Sequence, residues 1–176
     1  MAKSTNLGMP RIGPDRELKR AVEAYWAGRS DAASVESVAR TIRAANWQRQ
    51  RDAGIDHIPS NDFSRYDQML DATCLVGAIP ERFGFTGDEV DLDTAFALAR
   101  GRDGVQPLEM TKWFDTNYHY LVPELGPGSA FRLASTKPVD EFEEALALGI
   151  TTRPVLLGPV TYLLLAKSDA TGFAPL

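Results

Sequence analysis

The alternation of short apolar runs with amphipathic helical stretches constrains this chain more than any other feature. Leu18, Ala21, Val22, Tyr25 and Trp26 recur at i, i+3, i+4, i+7 and i+8 and so form one apolar stripe on a helix. Pro14 suits the first position of that helix and Gly28 its stop. A second helix is expected from Ser30 or Asp31 to Gly54, with Val35, Val38, Ala39 and Ile42 on one face. A third over Arg65–Leu75 gathers Tyr66, Met69, Leu70 and Thr73, and a fourth covers Asp93–Arg100. A fifth, Val139–Leu148, turns Phe142, Ala145 and Leu146 inward and stops at Gly149. Strand-like pieces separate them at Ile55–Ile58, Ala130–Leu133 and Pro154–Leu157. Strands alternating with helices imply an α/β fold, a parallel sheet with helical crossovers. "RPVLLGPV" is apolar nearly throughout, as suits a parallel strand covered on both faces. About four strands are in view, whereas a closed (β/α)₈ barrel needs eight and ~250 residues. The polar stretch "KSDATGFAPL" follows the last apolar run at once, so the chain reads as part of a larger fold.

Composition narrows the function classes. A net charge of −5 over 176 residues, with no long basic run, argues against nucleic acid as the main partner. The longest apolar run, Val160–Ala166, falls far short of the ~20 residues that span a bilayer, so no membrane association is expected. "MAKSTNLG" lacks the apolar core of a secretory signal, and the single cysteine, Cys74, builds no disulfide framework. These features fit a soluble cytoplasmic chain.

Charge is unevenly spread. Residues 1–20 carry net +3, from Lys3, Arg11, Arg16, Lys19 and Arg20 against Asp15 and Glu17, which leaves −8 for the rest. Arg16 and Lys19 stand three apart at the start of the first helix, where the macrodipole repels cations. Free backbone N–H groups at such an end attract carboxylate or phosphate. A solvated charged face is the plainer account of "RELK", and the residues alone leave both open.

The other candidates are weaker. His57, Cys74 and His119 show no metal-ligand spacing, and Cys74 reads as a core residue on an apolar helix. No GxSxG elbow is present. In "MTKWFDTNYHYLVPE", Trp113, Phe114, Tyr118 and Tyr120 either wall a pocket around Lys112 or pack as core. Asp62, Tyr66 and Asp67 follow a strand, where barrel active sites gather, but a cap of the third helix by Asp62 or Ser64 is the simpler reading.

Taken together, "LGMPRIGPDRELKRAVEAYWAG", "GIDHIPSNDFSRYDQMLD", "EMTKWFDTNYHYLVPE" and "ALALGITTRPVLLGPVTYLLL" resemble, in order and spacing, the N-terminal part of cobalamin-independent methionine synthase. That family is also called 5-methyltetrahydropteroyltriglutamate–homocysteine methyltransferase. The resemblance implies a cytoplasmic enzyme of two TIM-type (β/α)₈ barrels, with residues 1–176 forming the first half of the N-terminal, folate-side barrel. It implies methyl transfer from 5-methyltetrahydropteroyltri-L-glutamate to homocysteine, forming methionine without cobalamin. Zinc would hold the homocysteine thiolate in a C-terminal barrel that these residues do not include, and no catalytic or metal residue is expected here. What carries over is a substrate-binding set: "RELK" at Arg16, Glu17, Leu18 and Lys19, and the lysine of "MTKWF", Lys112. Leu18 also lies on the apolar stripe, so its side chain is read as structural and its backbone as the contact. Two alternatives stand beside this: a truncated module that binds folate without catalysis, and a barrel of uroporphyrinogen-decarboxylase type. "RELK" with "MTKWFDTNYHY" argues against the second.

Overall fold

The computed structural model describes residues 2–168 and residue 175. Most of "KSDATGFAPL" lies outside the described residues. The chain divides into two compact units, one of residues up to Arg65 with Lys137–Val155, the other of Tyr66–Thr136 with the residues from Leu156 onward.

The first unit holds α1 (Glu17–Trp26), α2 (Ala32–Asp52), β1 (Ile58–Ser60), α5 (Lys137–Ala147) and β4 (Thr152–Pro154). Asp31 starts α2 by accepting the Ser34 N–H at 2.8 Å, which satisfies one of the free donors of the first turn. Val35, Ala39 and Ile42 are buried as the periodicity requires, and Leu18 and Val22 of α1 are buried with them. Trp47, Ile58, Ala145 and Ile150 form the core beside the sheet, and the Trp47 Nε1–H donates to the Pro59 carbonyl at 3.0 Å. The β1 and β4 strands pair in parallel, Ile58 opposite Thr152 and Ser60 opposite Pro154. The expected parallel pairing is therefore present, and the architecture is mixed α/β. No closed barrel is formed by the described residues.

The second unit holds α3 (Gln68–Leu75), a 3₁₀ turn (Glu81–Phe83), α4 (Leu92–Arg100), β2 (Met110–Lys112), β3 (His119–Leu121) and α6 (Pro159–Leu164). Cys74 is buried with Leu70, Phe83, Leu98 and Leu121, the core position read from the sequence. Met69, Tyr120, Val122 and Tyr162 build a second apolar cluster. The Tyr162 hydroxyl lies 3.1 Å from Thr73 Oγ1, and burial pushes its pKa up to about 12.

Several boundaries differ from expectation, each for a local reason. Pro14 precedes α1 by three positions because Gly13 (φ +84°) and Arg16 (φ +63°) turn the chain before the helix can begin. The β1 strand starts at Ile58, since the Ile55 N–H still bonds the Gln50 carbonyl at the end of α2. Residues 130–133 form no strand. The segment is pinned to the end of α3 instead, the Arg132 N–H to the Val76 carbonyl and the Ala134 N–H to the Leu75 carbonyl, with Phe131 and Leu133 exposed. Within "RPVLLGPV" the strand ends at Pro154, and Gly158 with Pro159 opens α6, so this run is not a strand covered on both faces. Leu146 of α5 is exposed, and Glu141 is buried instead. The antiparallel β2–β3 hairpin has no counterpart among the expected strands.

Candidate functional site

The "RELK" positions sit at the start of α1. Arg16 is the residue before the helix, in the left-handed region at φ +63° and with no side-chain cap. Its N–H bonds the Gly13 carbonyl at 3.2 Å, and the Leu18 N–H bonds the Ile12 carbonyl at 3.2 Å. Glu17 folds back, its Oε2 accepting the Asp15 N–H at 3.0 Å. Leu18 is only 1% exposed, so its side chain is structural, as its place on the apolar stripe required. Lys19 lies 3.5 Å from Glu23 one turn on, a half-exposed pair of the kind that contributes little. Arg16 is exposed and has no carboxylate within ion-pair distance among the described residues. Arg16, Lys19 and Arg20 thus stand among Asp15, Glu17 and Glu23 at the positive end of a helix, with the buried Leu18 as anchor.

Lys112 belongs to the second unit, at the end of β2 opposite His119 of β3, and it is exposed. Of the aromatics that follow it, Trp113 and Tyr120 pack edge-to-face at 5.6 Å, Tyr120 within an apolar cluster and the half-buried Trp113 against it. Phe114 stays 65% exposed beside Lys112, held edge-on by Trp113 at 5.5 Å and turned outward at φ +50°. The Tyr118 hydroxyl donates to Asp67 Oδ1 at 2.8 Å.

The cap of α3 is neither Asp62 nor Ser64. Asp67 accepts the Leu70 N–H at 3.0 Å and the Leu121 N–H at 3.2 Å, so one buried carboxylate starts a helix and holds a strand. Burial raises its carboxyl above the usual aspartate range despite those bonds and that of Tyr118. Asp62 is engaged elsewhere, accepting the Met9 N–H at 2.9 Å, and burial raises it too. A Cβ on Gly8 would stand 2.5 Å from Asp62 Oδ2, which explains the glycine of "LGMP". Ser64 offers its carbonyl to Arg11 Nη1 at 3.1 Å.

One cluster had no sequence signal beyond an arginine on the inner face of α2. Arg43, 3% exposed, donates through Nη2 to Glu36 at 2.6 Å and to Glu144 at 2.6 Å, with Glu141 3.8 Å from Nη1. Arg65 also pairs with Glu36, and Lys137 reaches Glu141 at 3.1 Å and Asn61 Oδ1 at 2.8 Å. Burial disfavours the charge of Arg43, but its carboxylate partners overcome it and hold the guanidinium more firmly protonated than usual. Buried charges persist only when paired and hydrogen-bonded in this way. Among the described residues no group of three or more His, Cys, Asp or Glu is arranged to hold a metal ion, and no helix is long and apolar enough to cross a membrane.

The family model described as "Cobalamin-independent synthase, N-terminal domain" matches residues 3–176. Relatives named 5-methyltetrahydropteroyltriglutamate–homocysteine methyltransferase include one from Caulobacter vibrioides, 59% identical over 97% of this chain and 24% of its own. Others come from Streptomyces coelicolor, 61% identical over 94% and 22%, and from Salinibacter ruber, 55% identical over 97% and 23%. The chain thus spans about a quarter of the length of these relatives.

Proposed function

Because this chain belongs to the cobalamin-independent synthase family and matches its N-terminal domain, we propose that it is the folate-side part of a methyltransferase. The reaction moves a methyl group from 5-methyltetrahydropteroyltri-L-glutamate to the sulfur of homocysteine, giving methionine, and needs no cobalamin. The names of the relatives support this reading, and neither the uroporphyrinogen-decarboxylase type nor a non-catalytic module is favoured by them. Residues 1–176 are proposed to form the first half of a (β/α)₈ barrel. The parallel pairing of β1 with β4, and the helix α5 directly before β4, support that architecture.

The observation that carries the proposed role is the arrangement around Leu18. Arg16 and Lys19 flank a side chain sunk into the core, at the helix end whose dipole favours anions. A triglutamate tail offers several carboxylates, and charge-assisted hydrogen bonds from arginine and lysine suit them. Arg16, Lys19 and Lys112 are therefore proposed to contact the tail; Leu18 and Glu17 belong to the same segment, but the Leu18 N–H expected to face the tail is already given to the Ile12 carbonyl. Zinc would supply a thiolate-stabilising charge to homocysteine. The described residues do not fit it, since they offer no ligand cluster and Cys74 is buried among apolar side chains. No step through zinc is derived, and its ligands are assigned to the part of such proteins outside these residues.

The test is Lys19→Ala combined with Lys112→Ala in a complete enzyme. Affinity for triglutamyl folate should fall by about ten- to a hundredfold, and affinity for monoglutamyl folate far less. Equal losses for both forms would mean these lysines do not read the tail.

A further inference from the structure

Within "RELK" one residue carries the wrong charge for an anion site. We propose that Glu17 is a positioning residue: its carboxylate closes the Gly13–Asp15 turn, fixes the direction of Arg16 and makes no contact with ligand. This rests on the tail-binding reading above and divides its segment into residues that touch and residues that hold.

Three observations meet at this carboxylate. Glu17 Oε2 accepts the Asp15 N–H at 3.0 Å, so its acceptor capacity is turned toward the backbone upstream of Arg16. A Cβ on Gly13 would come within 2.1 Å of the same oxygen, so the turn has room for the carboxylate only because residue 13 is glycine. Arg16, between them, occupies a left-handed conformation that long L side chains adopt only when their surroundings over-determine it. On the other side the constraint is Leu18, buried and bonded through its N–H to the Ile12 carbonyl. Arg16 is thus held between an anchored leucine and a turn closed by Glu17. A carboxylate aimed instead at a polyglutamate would meet like charge, which costs affinity.

The experiment uses a complete enzyme carrying Glu17→Ala, Glu17→Gln, Gly13→Ala or Arg16→Ala. It reads the dissociation constant of triglutamyl 5-methyltetrahydrofolate and the exchange rate of the Asp15 amide hydrogen. Glu17→Ala should weaken binding about tenfold and speed exchange of that amide. Glu17→Gln, whose amide oxygen accepts the same N–H, should restore both readouts to within about twofold. Gly13→Ala crowds the same oxygen and also strains a backbone at φ +84°, so it should weaken binding at least as much as Glu17→Ala. Loss by Glu17→Gln equal to that of Glu17→Ala would overturn the proposal, because the acceptor oxygen that holds the Asp15 N–H would then not be what matters. Tighter binding by Glu17→Ala would overturn it too. If Arg16→Ala weakens binding and Glu17→Ala does not, this inference fails alone; if Arg16→Ala changes nothing, the tail reading itself fails.

Discussion

Glu36 is the carboxylate on which the first unit's buried charge cluster leans, and replacing it with glutamine has a calculable consequence. Burial alone would raise its pKa, but the Arg65 and Arg43 guanidinium groups outweigh that and hold it at about 2, against an ordinary 4.5. A carboxyl with a depressed folded pKa stabilises the fold fully above its unfolded value and loses that contribution as pH falls toward the folded one. At ~1.36 kcal/mol for each pH unit between the two values, the gap is worth about 3 kcal/mol at neutral pH. The side chain is 28% exposed, and solvent screening trims the figure to about 2 kcal/mol. Glu36→Gln should therefore cost about 2 kcal/mol in urea denaturation at pH 7, and less than half of that at pH 3. Arg43 keeps Glu144 and Glu141 in the variant, so the unit should still fold. An equal penalty at both pH values would refute the reasoning, since the stabilisation would then owe nothing to the ionised carboxylate.

Asp67→Asn should show the opposite pH trend. Burial raises the folded pKa of Asp67 above 3.8, so its protonated form is favoured in the fold and its contribution declines as pH rises from 3.8 through the folded value. The stability of the native chain relative to Asp67→Asn should shrink over that window in thermal melts, and a gap that widens would contradict the assignment. At the edge of the sheet, β4 has one partner among the described strands and Leu156 just beyond it is 59% exposed. The strand itself is the polar Thr-Arg-Pro, but the exposed Leu156 that follows it is an apolar site for association, so the isolated chain should scatter light in proportion to concentration. Leu156→Lys should suppress that while shifting stability by no more than about 0.5 kcal/mol; unchanged scattering would remove the edge as its cause.

What the sequence made legible depended on whether the deciding partner was near in the chain. Asp31 reaches three residues ahead to Ser34, so the start of α2 could be read directly, and the stripe from Leu18 to Trp26 gave α1 its buried face. The cap of α3 could not be read so. Asp62, Ser64 and Asp67 are all competent, and what separates them is that Asp62 is taken up by Met9, 53 residues away. Leu146 looked more suited to the core than Glu141, but Arg43 is close enough to Glu141 to keep its charge buried, and periodicity carries no record of that pairing. The hairpin leaves no mark in the sequence pattern because each of its strands is three residues long and β2 is largely exposed, too short for alternation to register. The residues proposed for the tail site stand out only through the family motifs. Composition marked the basic N-terminus, and the position of Arg16 ahead of α1, with its left-handed backbone, came from the turn that Gly13 and Glu17 make.

The claim at the centre is that cations on this chain count the carboxylates of a folate tail. Titrating a complete enzyme with folates bearing one, two and three glutamates measures this directly. Affinity should climb with each added glutamate in the native protein and flatten when Lys19 and Lys112 are both alanine. A native affinity that ignores tail length would contradict it.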